Sequence, residues 1–214
     1  MIPALLTYLI RKLIIHLRSG QKPLMIALML TISSATMAQK NFVLYDVIYK
    51  DEKIGTTKIN TVTNGDTLHC SIVSDISTRF LFSIKVKSVE ESTYHSGKLV
   101  HSIVNRNVNG NEKVNRSTIA GINNYALHRE GTKSIIKSDR INFNVMMLYL
   151  TEPVSLTKIY SDNHQQFLKI EKTGPHLYRL NMPDGNHNLY HYTNGICTKV
   201  EVFSQLFDMQ IVLR

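Results

Sequence analysis

The sequence lacks tryptophan, and its 214 residues include only two cysteines, five prolines and ten glycines. Two cysteines cannot build the disulfide framework of a small secreted scaffold. The glycines and prolines follow neither a collagen-like period nor a low-complexity run. Charged residues make up 19% of the chain and hydrophobic residues 43%, which is an ordinary composition for a folded protein. Fibrous, disordered and disulfide-dense classes are therefore excluded.

Acidic residues are also scarce relative to basic ones, with 16 Asp and Glu against 25 Lys and Arg. Four of the bases precede residue 39, where there is no acid, and the 21 that remain exceed the acids by only five. This excess is modest and dispersed along the chain, unlike the clustered charge of a nucleic-acid-binding domain. We expect no nucleic-acid partner.

The beginning of the chain has the features of a secretory signal. An apolar run at 23–38 follows Lys22 and ends in small residues. Thr36 and Ala38 have the spacing of the small residues that precede a signal-peptidase cut, which would make Gln39 the new N-terminus. The apolar core is shorter than the ~20 residues of a membrane-spanning helix. Because no cysteine lies near the cut, a lipid-anchored product is not expected.

A second apolar stretch at 2–17 lies further upstream and is interrupted by Arg11 and Lys12, which disfavours a membrane span. We interpret it as an over-extended N-terminus, and an uncleaved N-terminal anchor is the alternative. The expected organisation is a signal peptide at 1–38 and a single antiparallel β domain at 39–214. The protein is expected in the periplasm or outside the cell, without a stable transmembrane anchor.

Alternation of apolar and polar residues dominates the chain after residue 40, which predicts β-strands. Phe82, Ile84 and Val86, for example, alternate with Ser83 and Lys85. Turn pairs recur between such runs, at Asn64-Gly65, Ser96-Gly97, Asn109-Gly110, Asp184-Gly185 and Asn194-Gly195. Glycine accepts positive φ without steric cost and asparagine tolerates it, so these pairs predict hairpin turns. Successive hairpins give an antiparallel sheet and exclude the βαβ plan of nucleotide-binding folds.

The predicted fold is mainly all-β: a strongly curved antiparallel meander sheet or half-barrel with one short helix. We predict twelve strands, at 42–50, 53–63, 67–78, 80–94, 98–108, 112–119, 124–130, 166–173, 176–183, 187–193, 196–204 and 206–213. Because no linker-like stretch separates them, they are expected to form one domain. If twelve strands curl without closing, the concavity must hold side chains or a ligand.

The segment 138–153 breaks the strand pattern and predicts the helix. Ser138 or Asp139 offers a cap, and Pro153 ends the segment. The apolar face would consist of Ile141, Val145 and Leu148. Leu148 is expected to be buried against the sheet, and Asn144→Asp is expected to be milder than Leu148→Asp if Asn144 faces outward.

Two methionines follow in the same segment. Met146 and Met147 are interpreted as packing residues, and the alternative is an adaptable apolar lid over a ligand.

The two cysteines are expected to lie on different faces. Cys70 alternates in phase with apolar Leu68 and Ile72, whereas Cys197 alternates in phase with Lys199. One thiol would then face the core and the other the solvent. Two unbridged structural cysteines are the favoured interpretation, although an oxidising compartment leaves a disulfide as the alternative.

Three stretches carry a resemblance to a known family: YDVIYKDEKIG at 45–55, YLTEP at 149–153 and MPDGNHNLYHYTNG at 182–195. They resemble a family of exported Gram-negative proteins of unknown function, whose sheet is similar to the half-barrel of periplasmic lipoprotein carriers. The resemblance spans roughly 42–213 and rests on turns, a helix stop and tyrosine-bearing strands. It implies a fold and transfers no catalytic residue.

Four histidines invite a metal-site hypothesis: His164, His176, His187 and His191. The spacing of His187 and His191 suits one face of a helix, but their segment is predicted to be a strand. At ~3.3 Å per residue they would lie ~13 Å apart, too far to share one ion. We predict no metal site and no cofactor.

Catalytic motifs are missing as well. The sequence has no G-x-S-x-G and no glycine-rich phosphate loop, and a thiol on an apolar strand face is expected to be inert. Glu90 and Glu91 are adjacent on a strand and point to opposite faces, so they do not form a catalytic pair. A non-enzymatic protein is the favoured interpretation.

Tyrosines are the remaining candidates for ligand contact. Tyr190 and Tyr192 share one face of their strand, and Tyr45 and Tyr49 share a face of theirs. Such rings line lipid cavities or stack on sugars, although ordinary cross-strand pairing is the simpler explanation. Basic residues are expected on the outer, solvated face of the sheet: Lys85, Lys87, Arg106, Lys113 and Arg116.

The favoured function is binding of an apolar or amphipathic, lipid-like ligand in the curved sheet. The candidate contacts are Phe82, Ile84, Leu148, Tyr190 and Tyr192. The alternative is a structural or protein-interaction envelope module, with another envelope protein as its partner and a core filled by its own residues. Cavity volume distinguishes the two, because a scaffold packs to crystal-like density.

Overall fold

The computed structural model describes residues 39–79, 83–138, 140–205 and 208–214. The predicted signal peptide at 1–38, the candidate cap Asp139 and the candidate ligand contact Phe82 lie outside the described residues.

Fourteen antiparallel strands form one sheet in the described part of the chain. They are β1 (Gln39–Tyr49), β2 (Glu52–Asn64), β3 (Thr67–Arg79), β4 (Ser83–His95), β5 (Lys98–Val108), β6 (Asn111–Ala120), β7 (Asn124–Arg129), β8 (Thr132–Lys137), β9 (Lys158–Ser161), β10 (Gln166–Gly174), β11 (Leu177–Asn181), β12 (His187–Thr193), β13 (Ile196–Phe203) and β14 (Asp208–Leu213).

The strand order is that of two meanders joined side by side. It runs from β8 down to β1, then from β14 down to β9, so that β8 and β9 are the two edges. The joint is the β1–β14 pair, in which Tyr45 lies opposite Leu213 and Val47 opposite Ile211. The edges β8 and β9 do not pair with each other among the described residues. The predicted all-β fold, an open antiparallel meander with one short helical segment, is confirmed.

The sheet rolls so that its β9 end packs over the inner face of β6 and β7. Gln165, in the turn after β9, donates from Nε2 to the carbonyl oxygens of Ser117 and His128, at 2.9 and 3.0 Å. The hydroxyls of Tyr160 and Thr118 are hydrogen-bonded at 2.9 Å. Because strands twist in one sense, a long open sheet curls, and these contacts hold the curl in place.

Two clusters of buried side chains line the inside of this roll. One contains residues of β1–β3 and β10–β14, among them Tyr45, Ile59 and Val200. The other surrounds Tyr94, Tyr125 and Tyr160. Buried tyrosines need a partner for the hydroxyl: Tyr45, for example, donates to the carbonyl of Cys197 at 2.9 Å. The core therefore depends on directed hydrogen bonds as well as on apolar packing.

The predicted helix is reduced to a 3₁₀ helix at Val145–Tyr149. Its cap is Asn144, whose side chain accepts a hydrogen bond from the amide of Met147, so the predicted cap Ser138 is wrong. The residues before it cannot join the helix because their backbone is already bonded: Ile141 accepts from the amide of Leu99 at 2.8 Å. Leu148 is fully buried, as predicted.

Asn144 does not face outward, so the condition for a mild Asn144→Asp substitution is not met. Asn144 is fully buried, and its side-chain amide donates to Ser92 Oγ at 2.8 Å and to Asp162 Oδ2 at 2.7 Å. The Asn144 side chain therefore has two structural roles. It orders the 3₁₀ helix and fixes a buried carboxylate.

Two strands are missing from the sequence prediction. β9 has only four residues, and three in succession, Ile159, Tyr160 and Ser161, are buried. β8 is an edge strand of six residues that is almost entirely exposed. Neither shows the alternation of a half-buried strand, which is why the pattern did not reveal them.

The outward placement of Cys197 is wrong because β13 is irregular. Its register with β12 shifts between His191 and Tyr192, which leaves Thr198 as an extra residue and puts Cys197 on the same face as Val200. Such a bulge reverses the alternation. Cys70 and Cys197 are both buried and free, and burial raises the pKa of each thiol to about 12.

Candidate functional site

A cavity of about 420 Å³ lies inside the rolled sheet. β2–β5 form one wall and β12–β14 the other, while the 3₁₀ helix and the turn at 161–164 cover it. Small-molecule sites in proteins typically enclose about 300–1,000 Å³. The cavity is therefore large enough for a ligand.

Most of the wall is aliphatic, because the inward positions of successive strands carry branched side chains. These residues are Ile54, Ile72, Ile76, Ile84, Val86, Val108, Val202, Met209 and Ile211. The predicted alternation that puts Ile84 and Val86 on one strand face is confirmed. A surface of this kind favours an apolar occupant over water.

The five candidate ligand contacts are distributed unevenly. Ile84 and Tyr190 line the cavity. Leu148 and Tyr192 lie behind the wall, where the Tyr192 hydroxyl donates to the Leu148 carbonyl at 2.6 Å. These two residues hold the 3₁₀ helix on the sheet. Phe82 lies outside the described residues.

An aromatic rim joins the helix to the sheet. The ring of Tyr149 packs edge-on against Tyr45 and Tyr190, with centroid distances of 5.5 and 6.0 Å. Tyr149, Tyr190 and Tyr49 border the cavity. Burial raises the pKa of the Tyr149 hydroxyl well above its usual value, so this hydroxyl stays neutral.

One end of the cavity is polar and charged. Glu90 on β4 and Arg106 on β5 line it and form an ion pair of 3.4 Å. Asp162, in the turn after β9, lines the same cavity with only 6% of its surface exposed. The cavity therefore has apolar walls and one charged end, a distribution of polarity that matches an amphiphile.

Asp162 is an unusual carboxyl group. Burial, with a smaller contribution from the Glu90 charge, raises its pKa to about 7, although the Ser102 hydroxyl and the Asn144 amide favour the charged form. Its Oδ2 accepts from Asn144, whereas Oδ1 has no hydrogen-bond partner among the described residues. The Ser102 hydroxyl faces the carboxylate without reaching hydrogen-bond geometry. A buried acceptor is thus left available.

Two residues at the charged end of the cavity differ from the sequence prediction. Arg106 was expected on the outer face, but it pairs with Ser88 in the β4–β5 register and points into the cavity. The opposite orientations of Glu90 and Glu91 are confirmed, with Glu91 exposed. Asp162 was not recognised, because an Asp-Asn pair in a turn has the pattern of a solvated loop.

The histidines are engaged in separate contacts. The ring of His187 stacks on Phe203 at 4.7 Å, and His191 Nε2 lies 2.8 Å from Glu201 Oε2. His187 and His191 lie on strand β12, as predicted. Within 39–79, 83–138, 140–205 and 208–214, no three His, Cys, Asp or Glu side chains have a metal-binding arrangement. In the same ranges, every helix is too short or too polar to cross a membrane.

Fold and cavity together define an open, rolled antiparallel β-sheet protein with an internal cavity of ligand size. The chain belongs to the family described as a domain of unknown function, DUF6134, whose model matches residues 45–214. The structure is similar to the crystal structure of a β-barrel-like protein of the domain of unknown function DUF1849 from Brucella abortus. The two share 10% sequence identity with a TM-score of 0.48, over 81% of this chain and 95% of that chain. No curated protein matches the sequence.

Proposed function

We propose that this protein is a non-enzymatic, exported envelope protein that holds an apolar or amphipathic, lipid-like molecule inside its rolled sheet. The observation that carries this proposal is the cavity of about 420 Å³, with aliphatic walls and one charged end. A protein that only packs its own side chains fills its interior to crystal-like density. A cavity of this size and polarity is better explained by an occupant.

The expected binding free energy is compatible with reversible binding of such a ligand. Covering apolar surface contributes ~25 cal/mol per Å², so ~300 Å² of contact with an acyl-like chain would supply several kcal/mol before ordering costs. That corresponds to at most micromolar-class binding. Carriage and exchange need affinities of this order, because the ligand must leave again.

A catalytic role has less support. Both thiols are buried in apolar surroundings, and their raised pKa values leave them as neutral, unreactive groups at physiological pH. Glu90 is held in an ion pair with Arg106, and His191 in a contact with Glu201. Both side chains are therefore engaged with a charged or titratable partner rather than with a hydroxyl or a thiol.

The competing proposal is a structural or protein-interaction envelope module. It draws on exposed apolar side chains outside the cavity, such as Phe42 and Ile135, which are 68% and 67% exposed. Ile135 lies on the edge strand β8, whose free backbone groups can pair with another chain. This function would not depend on the cavity wall.

A load measurement separates the two proposals. Protein purified from its native source should carry a lipid-like molecule detectable by gentle mass spectrometry. Ile84→Asp puts a charge in the apolar wall and should abolish the load, whereas Ile135→Asp on the exposed edge should retain it. Ligand-free wild type, or equal loads in both variants, would contradict ligand binding in the cavity.

Export is part of the same proposal. If residues 1–38 are removed on the way out, the exported protein begins at Gln39. Intact-mass measurement or N-terminal sequencing of the exported form checks this. A membrane-retained species that begins upstream of Leu24 would contradict it.

A further inference from the structure

Unsatisfied hydrogen-bonding atoms cluster at the charged end of the cavity. The side-chain oxygens Asp162 Oδ1 and Asn163 Oδ1 are buried and have no partner within the described residues, and both residues line the cavity. Buried polar atoms in folded proteins are nearly always paired. Both unpaired atoms are acceptors when Asp162 is ionised. The hydroxyls of Ser102 and Tyr94 near Asp162 are also unpaired among the described residues, but neither lines the cavity. The cavity surface at this end therefore lacks a donor for its two acceptors.

The charges around these atoms favour a cation. Asp162 and Glu90 are acidic. Arg106, the one Lys or Arg among the described residues that line the cavity, is already paired with Glu90. An ionised Asp162 leaves one negative charge uncompensated. Arg129 lies close by, and its guanidinium donates to the His164 carbonyl and to Gln165 Oε1 rather than to Asp162. Burial lowers the pKa of His164, and the hydroxyls of Tyr94 and Tyr160 are held neutral by raised pKa values.

An anionic headgroup fits this end poorly. A carboxylate or phosphate would face both acidic side chains and would have to displace Glu90 from Arg106. A hydroxyl could donate to one oxygen but would leave the charge uncompensated. An ammonium group has three donors and one positive charge, and therefore matches both the acceptors and the charge.

We propose that the charged end of the cavity binds the primary ammonium group of an amphiphile, with Asp162 as the counter-ion and Asn163 as a second acceptor. The inference rests on the proposed function, because the chain of the same molecule lies along the aliphatic walls. The ligand class is therefore long-chain amines or amine-headed lipids. Glu90 assists through its charge while it remains paired with Arg106.

Matched amphiphiles test the headgroup separately from the chain. Isothermal titration calorimetry would compare n-decylammonium, n-decanol and n-decanoate, each below its aggregation limit, at about pH 8, where Asp162 is ionised. We expect n-decylammonium to bind about 10-fold more tightly than n-decanol, and n-decanoate to bind more weakly than both.

Variants assign the preference to residues. Asp162→Asn should reduce the affinity for n-decylammonium to that for n-decanol. Glu91→Gln removes the same charge from the exposed face next to Glu90 and should leave the preference intact. If Asp162→Asn is not folded by circular dichroism, Glu90→Gln replaces it, with an expected loss of about threefold.

Each outcome has a separate meaning. Equal affinities for the three compounds would overturn the ammonium site and leave ligand binding standing. Preference for n-decanoate would also overturn it, in favour of Arg106. No binding of any compound would overturn both this inference and the proposed function.

Discussion

At the scale of single residues, Asp162 shows the conflict between burial and charge most clearly. Only 6% of its surface is exposed, and it lies near the Glu90 charge. Among the described residues, its carboxylate accepts a hydrogen bond from the Asn144 side-chain amide. Removing a carboxylate from water disfavours its ionised form, which raises the pKa to about 7. The buried carboxylate of Asp162 therefore lowers the stability of the unliganded protein at neutral pH. A cation bound beside it would restore part of that stability.

This gives a stability prediction with a definite sign. The unfolded chain releases the Asp162 proton near pH 3.8, whereas the folded protein keeps it until about pH 7. The Asp162 contribution to stability is therefore full below pH 3.8 and is lost as the pH rises toward 7. Relative to wild type, Asp162→Asn should gain on the order of 4 kcal/mol in unfolding free energy between about pH 4 and pH 8.

Urea unfolding of wild type and Asp162→Asn at both pH values measures this difference. Asp51→Asn is the control, because Asp51 lies in an exposed turn with positive φ that asparagine also adopts. Its offset from wild type should stay constant with pH. A constant offset for Asp162→Asn would mean that the carboxyl is not buried as described.

Residue-level prediction from sequence worked where the strand was regular. Alternation put Ile84 on the same strand face as Val86, and both residues line the cavity. It could not show which face of the sheet is concave. It failed at Cys197, where a bulge reverses the faces, and at Asp162, which lies in a turn. Burial of a turn depends on which distant strand folds over it, and no local pattern encodes that.

At the scale of elements, the short 3₁₀ helix is the cover of the cavity. It is held by one side-chain cap, Asn144, and by the hydrogen bond from Tyr192 to the Leu148 carbonyl. Five residues cannot form a stable helix alone. Its position therefore depends on the burial of Met146 and Leu148 against the sheet.

Leu148→Asp should displace this cover. The side chain is fully buried, so the variant loses apolar packing and places a carboxylate among apolar neighbours. We expect the unfolding free energy to fall by about 4 kcal/mol or more, measured by chemical denaturation.

Val154→Asp is the matched control, since Val154 follows the helix and is 70% exposed. It should change the unfolding free energy by less than about 0.5 kcal/mol. Equal stability of Leu148→Asp and Val154→Asp would show that the helix does not pack on the sheet. Asn144→Asp is not a mild change, because it would bring a second carboxylate against Asp162.

Hairpins were predictable at this scale and the helix was not. Pairs such as Asn109-Gly110 and Asn194-Gly195 have positive φ at both residues, a conformation that asparagine and glycine favour locally. The predicted helix at 138–153 shrank because the extended backbone near Ile141 bonds to β5 and to Tyr125. Tertiary hydrogen bonds outweighed a helical apolar pattern.

At the scale of the whole described sheet, the cavity exists because the sheet is rolled and open. The β9 end is fastened to β6 and β7 through Gln165 and Tyr160. The sequence predicted an antiparallel meander that curls. It could not predict the β1–β14 joint or the roll, because both are set by contacts between residues far apart in the chain.

We expect the cavity to hold an apolar chain with its polar group near Asp162. A crystal structure of the protein with a terminally brominated decylamine tests it most directly, since anomalous scattering locates the bromine independently of any model. We expect the bromine among the aliphatic side chains near Ile84 and Ile211, with the amine at Asp162. Bromine outside the rolled sheet, or a concavity filled by the protein's own side chains, would contradict binding of the amphiphile in the cavity.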